Sequence, residues 1–194
     1  KGFHEEPKKP TLKDSAIDGQ KPDVLVIGGG IAGCAVLREL SRLDLDVLLV
    51  EKANDVATGA SCRNDGCIHP GIDLHKGQQK LKYVIADKQL AKDLGLELKP
   101  WGQTFIFSTH WENAIVSPLF WLKSKIIGVP GVRHLTPKQL KEMEPNPPKW
   151  ATGAMFMSSA GMVSPYKTTI ALCDNAIQNG ARVSLNTIVE SMDV

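Results

Sequence analysis

Residues 23–52 read "DVLVIGGGIAGCAVLRELSRLDLDVLLVEK". Val24 to Ile27 is a short unbroken apolar run ending in glycines, the pattern of a strand buried on both faces. From Ile31 to Leu43 the apolar residues Ile31, Ala35, Val36, Leu40 and Leu43 recur at helical spacing. Val47 to Val50 is a second buried strand, closed by Glu51. The spacing predicts a βαβ unit. Gly28 suits the tight turn leaving the first strand, Gly30 lets the main chain approach a pyrophosphate, and Gly33 lets the helix lie close on the strand. The helix start offers free N–H groups and a positive partial charge to phosphates. Glu51 is placed to accept from ribose hydroxyls and to repel a ribose phosphate, which argues against NADP. This stretch predicts a dinucleotide site.

Working outward, "ANDVATGASCRNDGCIHPGIDLHK" (53–76) is rich in glycine and small polar residues, and so long an irregular stretch points to ligand contacts. A helix is expected over 78–94, with Leu81, Val84, Ile85, Ala91 and Leu94 as its core stripe and Gly95 as its stop. "LKPWGQTFIFS" predicts a turn and a strand. "WENAIVSPLFWLKSKIIGVPG" predicts a helix interrupted near Pro118 and ended around Gly128 and Pro130. Thr136 and Pro137 mark the start of a helix that stops before Pro145. A short strand follows over Ala154 to Met157, then a helix over Tyr166 to Gln178, and then one or two strands in "ARVSLNTIVESMDV". The last helix and strand are expected to return to the nucleotide-binding sheet. The opening 1–22, polar and carrying Pro7, Pro10 and Pro22, reads as a loose arm.

A chain of 194 residues with 42% apolar residues, 23% charged residues and a net charge of +2 can bury a core and gives no electrostatic case for nucleic acid. No apolar run reaches the length of a membrane span. The four cysteines, Cys34, Cys62, Cys67 and Cys173, form no CxxC pair and read as reduced thiols, hence an intracellular and most simply cytoplasmic setting. Cys34 reads as packed within its helix, and Cys62 and Cys67 as unpaired thiols rather than a redox pair. Asp65, His69, Asp73 and His75 match no metal-ligand spacing, so no metal is expected. Trp101, Trp111, Trp121 and Trp150 are expected to fill a core. Tyr166 reads as a core anchor and Lys167 as a solvated charge.

The words "DVLVIGGGIAG", "LLVEK", "ATGAS-RN-G-IHPG", "GVPGVRHLTPKQLKEMEPN" and "GMVSPYKTTIALCDNAIQNGARVSLNT" resemble the D-amino-acid oxidase and glycerol-3-phosphate dehydrogenase superfamily. Within it the chain is most similar to FAD-dependent glycerol-3-phosphate dehydrogenases of the anaerobic type, with L-2-hydroxyglutarate dehydrogenases beside them. The resemblance implies an α/β fold: a glutathione-reductase-like Rossmann FAD-binding domain (23–76 and 158–194) with a mixed α+β substrate-domain insertion (77–157), in a fragment of a longer chain. It implies FAD as cofactor. Gly28, Gly30, Ala32 and Gly33 would meet the diphosphate, and Glu51 and Lys52 the adenosine ribose. Thr58, Gly59 and Ser61 would supply donors near the pyrophosphate, where small side chains let the main chain approach. Asn64, Gly66, Ile68 and His69 would run toward the flavin, and Val189 would touch adenine through its backbone.

His69 is the one residue nominated for chemistry. An imidazole beside a flavin is suited to take a substrate hydroxyl proton, and the alternative is that it only hydrogen-bonds the flavin or fixes the loop. The implied reaction is oxidation of glycerol 3-phosphate to dihydroxyacetone phosphate by hydride transfer to flavin N5, electrons passing to an acceptor such as a quinone. An L-2-hydroxy acid such as 2-hydroxyglutarate is the alternative substrate, an amine or amino acid the third, and a non-catalytic nucleotide-binding module a different class. Any membrane contact would be peripheral. Superfamily members carry a later Gly-Asp flavin segment, so the 194-residue polypeptide alone is expected to bind FAD weakly and to be inactive.

Overall fold

The computed structural model describes residues 17, 19–81 and 89–192. Most of the expected arm over 1–22, and residues 82–88 of the helix expected over 78–94, lie outside them. The described residues fall into two units: one takes in the chain up to Asp65, Ala91–Leu96 and the segment from Ser164, and the other Gly66–Leu90 and Glu97–Val163.

The first unit is the βαβ core. Strand β1 (Val24–Ile27), helix α1 (Ile31–Leu40) and strand β2 (Val47–Val50) follow the order expected from the apolar runs. β1 pairs parallel with β2 in the register Val24 to Val47, and β2 pairs parallel with β8 (Arg182–Ser184), giving the strand order β1-β2-β8. All four residues of β2 are buried, as a central parallel strand covered on both faces requires. Helix α5 (Pro165–Gln178) packs on α1, and Cys34, Leu37, Leu49, Leu172, Cys173 and Ala176 close the core between helices and sheet. Leu37 and Leu49 are fully buried, so truncating either to alanine costs about 2–5 kcal/mol. Arg38 Nε donates to Asn175 Oδ1 at 3.0 Å, tying the two helices by side chains as well. Helix α1 ends at Leu40 rather than Leu43, because the Ser41 hydroxyl turns back to donate to the Arg38 carbonyl at 2.8 Å and Leu43 stands exposed. β8 is one short strand, and the chain beyond it is irregular.

The second unit is built on an antiparallel sheet of order β4-β6-β5, from β4 (Gln103–Phe107), β5 (Val132–Leu135) and β6 (Gly153–Met157). Helix α3 (His110–Ile127) lies on this sheet, with Ser117 Oγ 3.2 Å from Met155 Sδ and Asn113 Nδ2 donating to the Thr152 carbonyl at 2.7 Å. A reciprocal cap starts α3: Thr109 Oγ1 accepts from the Glu112 N–H, and the Glu112 carboxylate from the Thr109 N–H. The Ser108 hydroxyl and the other cap donors hold the Glu112 carboxyl below its ordinary pKa. Gly128, in the left-handed region at φ 80°, ends the helix. Pro118 does not interrupt it as expected; α3 runs unbroken through the proline. Helix α4 (Pro137–Met143) begins at Thr136 as the sequence predicts, with its own reciprocal cap through Gln139. The short helix α2 (Gln89–Asp93) stops at Gly95.

Two further observations correct the sequence reading. Trp101, Trp111, Trp121 and Trp150 do not fill a core; all four are exposed, between 48% and 64%. Their place is taken by Phe107, Met155, Met157, Leu135 and Leu140. Tyr166 is 40% exposed and anchors no core. The antiparallel pair of β3 (Cys67–Ile68) with β7 (Gly161–Met162), extended by a bridge from Met162 to Lys99, ties these segments into the second unit.

Candidate cofactor site

The site on the first unit is assembled where β1 hands over to α1. Gly28 takes φ 102°, a conformation closed to ordinary side chains, and its N–H donates to the Val50 carbonyl at 2.8 Å. A methyl group on Gly33 would stand 1.9 Å from the Gly28 carbonyl oxygen, so helix and turn touch with no room for a side chain. The α1 start therefore sits directly on the turn, and the N–H groups of Ala32 and Gly33, in its first turn, have no carbonyl of their own helix to bond. Ala32 is exposed.

The loop over 55–62 is sewn onto this turn. The Ala57 N–H donates to the Gly29 carbonyl at 2.8 Å, with Ala57 at φ 60°. Ser61 Oγ accepts from the Ile31 N–H at 2.9 Å and supplies the helix cap that Gly30 lacks. A side chain at Gly30 would meet that hydroxyl at 3.2 Å and fill the space before the helix end. A short 3-10 turn over Ala60–Cys62 shapes the loop. Asn64 Nδ2 donates to the Ala60 and Ser61 carbonyls, the Cys62 thiol reaches the Gly59 carbonyl at 3.2 Å, and the Arg63 guanidinium braces the Thr58 and Gly59 carbonyls. Ser61 thus meets the helix start, while Thr58, Gly59 and Asn64 are held by hydrogen bonds within the loop itself.

Glu51 is half-buried at the end of β2. One carboxylate oxygen accepts from the Gly29 N–H at 2.5 Å, the other from the Ala53 N–H at 2.9 Å. The Thr187 N–H donates to the Glu51 carbonyl and the Asn186 N–H to the Ala53 carbonyl, which brings the chain leading to Val189 to the same edge. Lys52 is exposed beside it. Gly29 has no role in the sequence reading. Its middle place in "GGG" is the available signal: a Cβ there would stand 3.1 Å from Val56 Cγ1 and 3.2 Å from Glu51 Cβ. Beneath the loop, Tyr166 Oη lies 3.5 Å from Asp55 Oδ2, and burial, then the Asp55 charge, raises the tyrosine's pKa. Asp174 is likewise raised, by burial first and Asp55 second.

Gly66, Ile68 and His69 belong to the second unit: Gly66 is buried, Ile68 ends β3 and His69 is exposed just after it. Among the described residues no group of three His, Cys, Asp or Glu side chains gathers to hold a metal ion. No helix among them is long and apolar enough to cross a membrane.

A parallel sheet, a glycine turn at a helix start and a carboxylate closing the second strand define a dinucleotide-binding domain of Rossmann type. The diphosphate fits: a side chain at Gly30 would crowd Ser61 Oγ at 3.2 Å, so glycine keeps open the place before α1 where a diphosphate would meet the first-turn amides. The chain belongs to the FAD dependent oxidoreductase (DAO) family, which it matches over residues 23–194. FAD is that family's cofactor. The chain is 31% identical over 175 residues to the glycerol 3-phosphate dehydrogenase of Caloramator mitchellensis, covering 88% of this chain and 36% of that one. It is 28% identical over 151 residues to the mitochondrial L-2-hydroxyglutarate dehydrogenase of Caenorhabditis elegans, covering 75% and 34%. Its fold is similar to that of the L-alpha-glycerophosphate oxidase of Mycoplasma pneumoniae with FAD bound, at TM-score 0.76 and 24% identity, over 86% of this chain and 45% of that one. The chain thus spans 36% and 34% of the length of these two curated relatives.

Proposed function

We propose that the protein is an FAD-dependent dehydrogenase that oxidises glycerol 3-phosphate to dihydroxyacetone phosphate. The observation that carries this reading is the 31% identity to a glycerol 3-phosphate dehydrogenase. When bound, FAD supplies the two-electron acceptor that takes the carbon-bound hydride at flavin N5. The chain's own residues hold and orient. Ala32 and Gly33 N–H groups, with the positive end of α1, receive the diphosphate in the space left by Gly28 and Gly30. Glu51 accepts from the ribose hydroxyls, Lys52 flanks it, and the main chain at Val189 meets adenine. Thr58, Gly59 and Ser61 line the pyrophosphate, and Asn64, Gly66 and Ile68 the path to the flavin. A ring nitrogen of His69 takes the substrate's hydroxyl proton as the hydride leaves its carbon. The first unit is the cofactor domain and the second the start of the substrate domain. The electrons pass on to a quinone or a comparable acceptor. The lack of a CxxC pair among Cys34, Cys62, Cys67 and Cys173 supports an intracellular setting.

The 28% identity to L-2-hydroxyglutarate dehydrogenase favours a second reading, oxidation of an L-2-hydroxy acid by the same residues. Anaerobic mixing of the FAD-loaded full chain with each compound separates the two. Loss of the yellow absorbance with glycerol 3-phosphate is expected. Loss with 2-hydroxyglutarate alone transfers the assignment to the second reading, and loss with neither overturns both. His69→Asn is expected to slow bleaching about 100-fold with FAD still bound; an unchanged bleaching rate overturns the proton-acceptor role.

A further inference from the structure

The loop that Ser61 fastens to the α1 start is followed at once by a cation. Between Lys52 and Lys76 the sequence holds a single lysine or arginine, Arg63, set among Asp55, Asp65 and Asp73. Its guanidinium turns back onto the loop: Nη1 donates to the Thr58 carbonyl at 2.5 Å and to the Gly59 carbonyl at 3.3 Å. An arginine offers five N–H groups in a fixed fork, and among the described residues those on Nε and Nη2 donate to nothing. The side chain is exposed and supports no core.

This grip decides which way the loop's amides face. All peptides here are trans, and in a trans unit the carbonyl and the following N–H point in opposite directions. With the Thr58 and Gly59 carbonyls drawn to Arg63, the N–H groups of Gly59 and Ala60 point away from it. Asn64 Nδ2 acts alike on the next carbonyl, that of Ala60, at 3.2 Å, and so turns the Ser61 N–H the same way. The Ser61 hydroxyl, 2.9 Å from the Ile31 nitrogen, carries this stretch to the helix start. Without Arg63 the Thr58 and Gly59 oxygens lose a charged donor and are free to turn their partial negative charge toward an anion beside the loop.

We propose that Arg63 is a positioning residue for the FAD diphosphate: it draws the Thr58 and Gly59 carbonyls aside and gives the loop the positive charge that two phosphates require. The proposal rests on the reading that Thr58, Gly59 and Ser61 line the pyrophosphate, and is independent of which substrate the protein oxidises.

Titration of the FAD-free full chain with FAD and with ADP, which carries the diphosphate without the flavin, tests it. Arg63→Gln is expected to raise both dissociation constants about 10-fold. Its FAD affinity should also weaken less than that of the wild type as salt rises from about 0.05 M to about 0.5 M. The melting temperature of the FAD-free chain should stay unchanged, because the side chain is exposed. Arg63→Lys keeps the charge and is expected to restore the salt dependence and most of the affinity. Wild-type binding by Arg63→Gln, while Ser61→Ala weakens FAD, overturns the proposal and leaves the pyrophosphate reading standing. Wild-type binding by both variants overturns that reading and the proposal with it. A loss confined to FAD, or one accompanied by a lower melting temperature and an unaltered salt dependence, overturns the role of Arg63 at the diphosphate.

Discussion

The carboxylate of Glu51 accepts a hydrogen bond from the Gly29 N–H at 2.5 Å, so the acid expected to hold the ribose also holds the turn that receives the diphosphate. Glu51→Gln keeps the shape but can offer only one acceptor oxygen to the two amides of Gly29 and Ala53. Losing a charge-assisted bond of this kind costs about 1.5–3 kcal/mol. FAD affinity of the full chain is expected to fall about 10- to 100-fold, read by flavin fluorescence quenching.

Gly33→Ala forces a methyl group against the Gly28 carbonyl, 1.9 Å away. Neither neighbour is a flexible side chain, so the helix must lift from the turn. A destabilisation of about 3 kcal/mol is expected in urea titration, with loss of bound FAD. An alanine variant of wild-type stability would mean that helix and turn do not touch in this way.

Ser61→Ala leaves the Ile31 N–H without its hydroxyl cap. A loss of about 1 kcal/mol is expected from the missing cap, together with weaker FAD binding as the 55–62 loop comes away from the α1 start. Thr restores the acceptor, so Ser61→Thr should recover most of both quantities in paired melting and binding measurements.

Asp174 gives a pH dependence of known sign. Burial, with Asp55 nearby, raises its pKa in the folded chain. An acid so raised favours the folded state while protonated; its contribution is complete below the unfolded value of about 4 and fades as pH climbs through the folded value. Asp174→Asn removes the titration. Melting temperatures of variant and wild type should converge in acid and separate toward neutrality, with the variant higher. Parallel curves would place the destabilising charge elsewhere.

The parts of the molecule that are legible in the sequence are those whose physics is local. The βαβ core announces itself because buried parallel strands are unbroken apolar runs and the helix between them has its own period. Thr136 acts within three residues of itself as a cap, and Gly128 ends α3 where the pattern stops. Pro118 misleads because its cost to α3 is offset by the packing of Ser117 and Ser124 on the sheet, a tertiary fact. The tryptophans mislead because ring size says what burial is worth, and says nothing of which face a ring stands on. In the site, the roles of Gly28 and Gly33 follow from the spacing. That of Gly29 depends on Val56 and Glu51 folding back over it, and no spacing rule contains those contacts.

The Gly29 peptide is fastened on both sides, its N–H to Glu51 and its carbonyl to Ala57, with the Cys34 thiol 3.6 Å from the same oxygen. A turn so fastened has given up its freedom when the chain folds, and little remains to be surrendered when a dinucleotide arrives. Affinity is thereby written into folding itself: heating that frees the nucleotide must first melt the strand and helix that grip it, so both signals are expected to change at one temperature.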